Sequence, residues 1–273
     1  MAITRIHHLN CGTMCPAAML VGGGGWGERG TLVCHCLLLE TDHGLVLVDS
    51  GFGTDDVTNP ERINRMLRTL GRPRFDLAET AIEQVRALGF APEDVRHIVV
   101  THLDIDHAGG LPDFPWATVH IHHAERSAAL LRQSFGERQR YVPAHFAHGP
   151  RWRTYRESGD DWFGFAAVRE LEGLAGDVAL VPLLGHSRGH AGIAVDTGDG
   201  WLLHAGDALF HDAELSDPRQ CPAGLRLFQE MVQFDRKARL ANADRLRTLH
   251  AERAGEVTIF CAHDPTQLAR AQS

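Results

Sequence analysis

Short apolar runs alternate with polar, glycine-bearing turns along this chain, and their periods predict its elements. Residues 3 to 9 read as a first strand. Residues 32 to 40 form a long apolar strand, and 45 to 49 return across an Asp42-His43-Gly44 turn as the second arm of a hairpin. A glycine-rich loop at 22 to 27 precedes the hairpin, and Asp49-Ser50-Gly51-Phe52-Gly53 follows it. Helices are predicted at 60 to 70 and 76 to 88, the second from the stripe Leu77, Ile82, Val85 and Leu88. Strands follow at 97 to 101 and 117 to 122, then a helix at 123 to 132. The stretch from about 133 to 170 is irregular, rich in aromatics and arginine, and reads as an insertion beside the active site. Order returns with strands at 178 to 184, 191 to 196 and 201 to 205, helices at 224 to 233 and 236 to 252, a strand at 257 to 261 and a short closing helix. Two groups of strands, each followed by helices, predict one α/β domain over residues 1 to 273. Its two sheets would pack face to face with helices outside.

The strand at 97 to 101 runs into His102-Leu103-Asp104-Ile105-Asp106-His107, which places four metal-ligand side chains within six residues. Imidazole and carboxylate hold zinc, iron or manganese. If the segment is extended, positions 102, 104 and 106 share a face and His107 points elsewhere, which suits two cations better than one. Three later strands also end in candidate ligands. They are Leu183-Leu184-Gly185-His186 with His190 beyond it, Leu202-Leu203-His204-Ala205-Gly206-Asp207, and Phe260-Cys261-Ala262-His263-Asp264. Rigid strand ends suit a metal site, which needs fixed ligand positions.

Composition narrows the function classes. With 27 basic and 35 acidic residues the formal charge is −8, which argues against a broad nucleic-acid surface. No apolar run approaches the ~20 residues of a membrane helix, and residues 1 to 8 lack the apolar core of a signal peptide. A cytoplasmic location with reduced thiols is the expectation for Cys11, Cys15, Cys34, Cys36, Cys221 and Cys261. Cys11 and Cys15 have no second cysteine pair at finger-like spacing.

Taken in order, the 102 to 107 cluster, Gly185-His186-Ser187-Arg188-Gly189-His190, Gly206-Asp207 and Ala262-His263-Asp264 resemble the metallo-β-lactamase-fold hydrolase superfamily. The likeness runs from about residue 30 to 265 and includes Asp49-Ser50-Gly51. It implies a four-layer αββα sandwich of two mixed sheets, with two divalent metal ions at one edge. Zinc is the first expectation, with iron or manganese as alternatives. Carried across residue by residue, it implies one metal on His102, Asp104 and His186, and a second on Asp106, His107 and His263. Asp207 would bridge them, and His190 would stand behind them. The departure is Asp104, where most zinc hydrolases of the family carry histidine. A carboxylate hardens that site toward iron or manganese. Flavodiiron-type relatives share the acidic residue, but this chain has no flavin domain.

Water between two cations ionises near neutral pH and could attack a carbonyl, with Asp106 as the catalytic group that orients it and shuttles its proton. Ser187 reads as a turn residue. The resemblance is nearest to acyl-homoserine lactonases and glyoxalase II-like enzymes. An ester, lactone or thioester of a small-molecule substrate is therefore expected, with no nucleic-acid or membrane partner, in a family that often forms homodimers. The lactonase branch has a tyrosine three residues after the bridging aspartate; here that position is Phe210, with His211 beside it. Tyr141, His145, His148 and Tyr155 are the other candidates for contacting substrate. Trp26, Phe52, Phe135, Trp152 and Trp162 could line an apolar pocket. Phosphodiester hydrolysis is an alternative reaction, and β-lactam hydrolysis is disfavoured by the lack of an export signal. A non-catalytic binding module or a di-iron redox protein are readings of another class.

Overall fold

The apolar runs become two six-stranded sheets, each laid out in chain order. This computed structural model describes residues 2–25, 27–156 and 160–273, so Trp26 lies outside the described residues. The first sheet is β1 (Ile3–Met14), β2 (Leu32–Thr41), β3 (Gly44–Val48), β4 (Val95–Val99), β5 (Thr118–His122) and β6 (Arg151–Tyr155). The second is β7 (Asp160–Trp162), β8 (Phe165–Leu171), β9 (Leu174–Pro182), β10 (Ala191–Asp196), β11 (Trp201–His204) and β12 (Val257–Phe260). Both sheets are mixed: β3 to β6 run parallel, as do β11 and β12, and the remaining neighbours are antiparallel. The helices are α1 (Thr54–Thr58), α2 (Ala81–Ala87), α3 (Ile105–Ala108), α4 (His123–Leu131), α5 (Phe135–Arg140), α6 (Ala223–Val232), α7 (Arg236–Arg253) and α8 (Pro265–Ala271).

Side-chain alternation explains the layers. Along β2, Leu37 and Leu39 pack between the sheets while Leu38 joins the helix-covered side; along β3, Val46 and Val48 face in and Leu45 and Leu47 face out. In β9, Val178 and Leu180 meet the first sheet while Ala179 and Val181 meet the cluster under α7. A strand buried on both faces must be apolar at every position, which is why these runs are continuous. The outcome is the αββα sandwich.

Three predicted elements differ. The 60 to 70 helix is instead a 3-10 turn at Pro60–Arg62 and a π-helical turn at Leu67–Gly71. Ile63 between them is extended and buried. The 76 to 88 helix breaks at Thr80, so Leu77 and Leu88 lie exposed and only Ile82 and Val85 reach the core. The irregular stretch 133 to 170 contains α5, a 3-10 turn at Pro143–Phe146, β6, β7 and the start of β8. β6 is an edge strand whose Arg151, Arg153 and Thr154 are exposed, so it lacks the apolar signature of a strand.

Leu180 is fully buried between the sheets. Leu180→Ala is expected to lower unfolding stability by about 2–5 kcal/mol in denaturant titration, and Leu130→Ala, on the exposed side of α4, by less than about 0.5 kcal/mol.

Candidate metal centre

The ends of β4, β9, β11 and β12 lie at one edge of the sandwich, as register dictates. Val48 pairs with Val99 in the first sheet; Pro182 with Ala191, Ile193 with His204, and His204 with Phe260 in the second. Backbone bonds from Ala191 N to Thr101 O (2.9 Å) and from His35 N to Ala262 O (2.9 Å) tie the two sheets together here. The segment after β4 is not extended. Asp104 starts the single-turn helix α3, its carbonyl accepting from His107 N (3.0 Å). That turn, rather than strand alternation, separates His102 and Asp104 from Asp106 and His107.

Asp207 sits at the centre of what converges. Its Oδ1 lies 3.2 Å from His107 Nε2 and 3.1 Å from His263 Nε2; its Oδ2 lies 3.4 Å from His186 Nε2 and 3.8 Å from His102 Nε2. Asp104 Oδ2 is 3.1 Å from His186 Nε2 and 3.4 Å from His102 Nε2, and Asp106 Oδ2 is 3.6 Å from His263 Nε2. The structure thus brings together His102, Asp104, Asp106, His107, His186, Asp207 and His263. Two sets of donor atoms that lie mutually within 4.8 Å share Asp207, His102–His186–Asp207 and His107–Asp207–His263. His102 Nε2, His107 Nε2 and Asp207 Oδ1 are buried with no hydrogen-bond partner.

In His102, His107 and His263 the other ring nitrogen is already engaged. His107 Nδ1 meets Asp49 Oδ2 at 2.8 Å, and His263 Nδ1 meets the Val33 carbonyl at 2.7 Å. The Thr101 hydroxyl donates to Asp49 Oδ2 (2.8 Å) and so must accept from His102 Nδ1 (3.0 Å). Each of these rings therefore turns an Nε2 lone pair toward a carboxylate. Two acceptors attract only with a cation between them, a proton or a metal ion, so the residues fit a divalent metal. Burial opposes charge on His107 and His263, yet Asp207 raises both above the usual imidazole value. Burial likewise opposes the Asp207 carboxylate, but His263, His107 and His186 hold it well below the usual range.

Several supports fix this geometry. Asp49 adopts a left-handed φ of 57°, tolerated by aspartate better than by most residues. Its oxygens also take Thr101 N (2.7 Å), and Ser50 donates from its amide and hydroxyl to the His107 carbonyl. His190 is not free to bind: Nδ1 donates to Leu183 O (3.0 Å) and Nε2 accepts from Asp207 N (2.9 Å). His204 likewise donates to His35 O and accepts from Gly206 N, setting the turn before Asp207. Gly206 has φ 54°, and a Cβ there would lie 2.6 Å from His190 Nε2.

Two residues that sequence reasoning missed complete the site. Arg140, from α5, places Nε 3.5 Å from Asp104 Oδ1, and its other nitrogens donate to His186 O and Val232 O. Burial works against the Asp104 carboxylate, but Arg140, His102 and His186 hold it well below the usual range. Glu125, fully buried on α4, accepts from Leu103 N (3.2 Å), Tyr141 Oη (3.0 Å), Ser187 Oγ (2.6 Å) and Gly189 N (2.8 Å). It ties the loop after β4 to the loop after β9. A carboxylate at 104 calls for a buried cation, but nothing in the sequence singles out Arg140 for that role, and Glu125 carries no local signal at all.

The residues considered for substrate contact scatter. Phe210 is buried with its ring 5.1 Å from that of His263 and 6.0 Å from that of His186. His211 caps the turn at Asp212–Leu215. Tyr141 is committed to Glu125, and His145 to buried Asp56 at 2.9 Å. His148 is half-buried beside His145, and Tyr155, on β6, bonds His120 of β5 (2.8 Å). Phe52 and Trp162 belong to different cores, Trp152 packs at the edge of the first, and Phe135 is exposed. Among the described residues these aromatics lie in separate parts of the fold.

Residues 29–263 match the sequence profile of the Metallo-beta-lactamase superfamily, and the chain belongs to that family. It is 42% identical over 268 residues to a protein named probable metallo-hydrolase from Mycobacterium tuberculosis, covering 97% of this chain and 83% of that one. It is 26% identical over 266 residues to the N-acyl homoserine lactonase AttM of Rhizobium johnstonii, covering 96% and 93%. In fold it is similar to an N-acyl homoserine lactone hydrolase solved with N-hexanoyl-L-homoserine at its catalytic metal centre. The TM-score there is 0.72 at 21% identity, covering 99% of this chain and 97% of that one. The chain is thus a metallo-hydrolase of this superfamily, whose hydrolases bind divalent metals, typically zinc. Among the described residues no helix is long and apolar enough to cross a membrane.

Because Arg140 answers Asp104, Asp104→His alone is expected to leave a buried guanidinium unpaired and to cost about 3–5 kcal/mol. Asp104→His combined with Arg140→Leu should recover much of that loss, as read by urea titration of both variants.

Proposed function

We propose that this chain is a binuclear hydrolase of ester-type carbonyls, with a lactone as the first candidate substrate. The observation that carries the reading is the Asp207 carboxylate, whose two oxygens face different histidine pairs 3.1–3.8 Å away. His102, Asp104 and His186 would hold one cation and Asp106, His107 and His263 the other, with Asp207 shared. When bound, such a pair polarises a substrate oxygen and makes nearby water more acidic. Asp106, with its side chain partly open to solvent, takes up and passes on the proton of the attacking water. Asp49 and Val33 O keep the two second-site imidazoles oriented through the reaction. Phe210 covers the flank of the site beside His186 and His263 and keeps water from that side.

Lactone hydrolysis is supported by the relation to AttM across nearly the whole chain. One observation favours a second reading, thioester hydrolysis. Phe210 brings no hydroxyl to the position next to His263, so a substrate oxygen receives no hydrogen bond there. A thioester carbonyl is activated enough to need less such help.

The first test is a substrate panel of acyl-homoserine lactones, aryl esters and a glutathione thioester. Activity on at least one is expected, lost on chelation and restored by zinc, iron or manganese. Asp207→Asn should lower kcat on that substrate by at least about 100-fold. Turnover that survives both treatments would sink the binuclear reading. Phe210→Tyr separates the carbonyl classes: it should raise kcat/KM on a lactone by up to about tenfold, the value of one hydrogen bond, and leave a thioester nearly unchanged.

A further inference from the structure

A third donor set lies beside the second cation position. Cys34 Sγ, an Asp106 carboxylate oxygen and a His263 ring nitrogen are mutually within 4.8 Å, and Cys34 is 1% exposed. His263 belongs also to the His107–Asp207–His263 set, where His107 Nε2 and Asp207 Oδ1 are buried without a hydrogen-bond partner. We propose that Cys34 is a sulfur ligand of the second cation, making that position a thiophilic, zinc-type site beside one at His102, Asp104 and His186 that has no sulfur donor.

The backbone is arranged around this thiol. β1 pairs Asn10 with His35 and Thr13 with Val33, so Cys11 and Gly12 bulge opposite Cys34. The Cys34 amide is taken instead by Asn10 Oδ1 at 3.2 Å. Bulges next to active sites re-aim side chains. Gly12 has φ 148°, and a Cβ there would stand 3.2 Å from Cys34 Sγ and 2.4 Å from Phe52. The residue before Cys34 supplies the carbonyl that orients His263, so strand β2 fixes both donors together. Other cysteines have local partners: Cys11 Sγ meets Gln84 Nε2, Cys221 Sγ meets Pro222 O, and Cys261 Sγ meets Gln267 Oε1.

The chemistry follows from donor softness. Thiolate selects zinc over manganese or magnesium, whereas carboxylate favours the harder ions. Coordination replaces the thiol proton with the metal and releases that proton to solvent. The two positions should therefore prefer different metals, which a centre with histidine at 104 and no sulfur would not.

The proposal rests on the binuclear reading above, and the experiment separates the two. Metal-free full-length protein is titrated with cobalt(II) and followed by absorption. About two equivalents should bind, with a thiolate-to-cobalt charge-transfer band in the near ultraviolet. The band should vanish in Cys34→Ala and persist in Cys36→Ala. Chelator competition should show zinc held at least about tenfold more weakly by Cys34→Ala. Two equivalents bound by the wild type without the band, or a band that survives Cys34→Ala, overturns the sulfur ligand and leaves the hydrolase reading standing. Failure to bind cobalt at all overturns both. If Cys34→Ala does not fold, Cys34→Ser, which keeps the side chain's size, takes its place: loss of the band there supports the sulfur ligand and its survival overturns it.

Discussion

A buried carboxylate ringed by imidazoles, three of which turn a lone pair toward the site, is stable only if something positive lies among them, and the sandwich edge is built to hold that arrangement until it does. Asp207 cannot turn away, because its amide is bound by His190 and the preceding Gly206 is wedged against the same ring. His102, His107 and His263 cannot swing, because Thr101, Asp49 and the Val33 carbonyl hold the nitrogens on their far sides. Each support is itself anchored at a strand end. The cost of crowding like groups is met by the two sheets together, since Thr101–Ala191 and His35–Ala262 join them at this edge.

The carboxylate at 104 adds one more negative charge to this cage, and the fold answers it from outside the strands. Arg140 enters from α5 and also holds the His186 carbonyl, so the same guanidinium that offsets Asp104 positions the loop carrying His186. Glu125 does the complementary work with its four donors, clamping Leu103 beside Ser187 and Gly189. The loops after β4 and β9 are thus one unit. Residue 104 is therefore not an independent choice: its identity is coupled to Arg140, and through Arg140 to the His186 loop.

The strands that carry ligands were legible because each closes on a short apolar run followed abruptly by ligand residues, as at Ile98-Val99-Val100, Leu183-Leu184, Leu202-Leu203 and Ile259-Phe260. What escaped notice was governed by contacts distant in sequence. β6 is polar because it lies at an edge. β1 continues past residue 9 through a bulge that only its pairing with β2 explains. The 60 to 70 segment has helical composition, yet Pro60 starts a 3-10 turn and Ile63 leaves it to reach the core. The region 133 to 170 reads in the sequence as an insertion beside the active site. It supplies Arg140 and Tyr141, one against a site residue and the other against the clamp. Local periodicity cannot show that an arginine will meet a carboxylate 36 residues away.

Division of labour follows from this placement. The donors sit on strand ends that the whole core holds in register, so changing the substrate need not disturb them. Phe210 and the turn that follows it flank this cage without adding a donor to it. Membership of the superfamily therefore says much about the metal cage and little about the bond that is cut. Phe210 makes the point in one residue: it preserves the packing against His186 and His263 that shapes the site, and omits the hydroxyl through which a relative could act on a carbonyl.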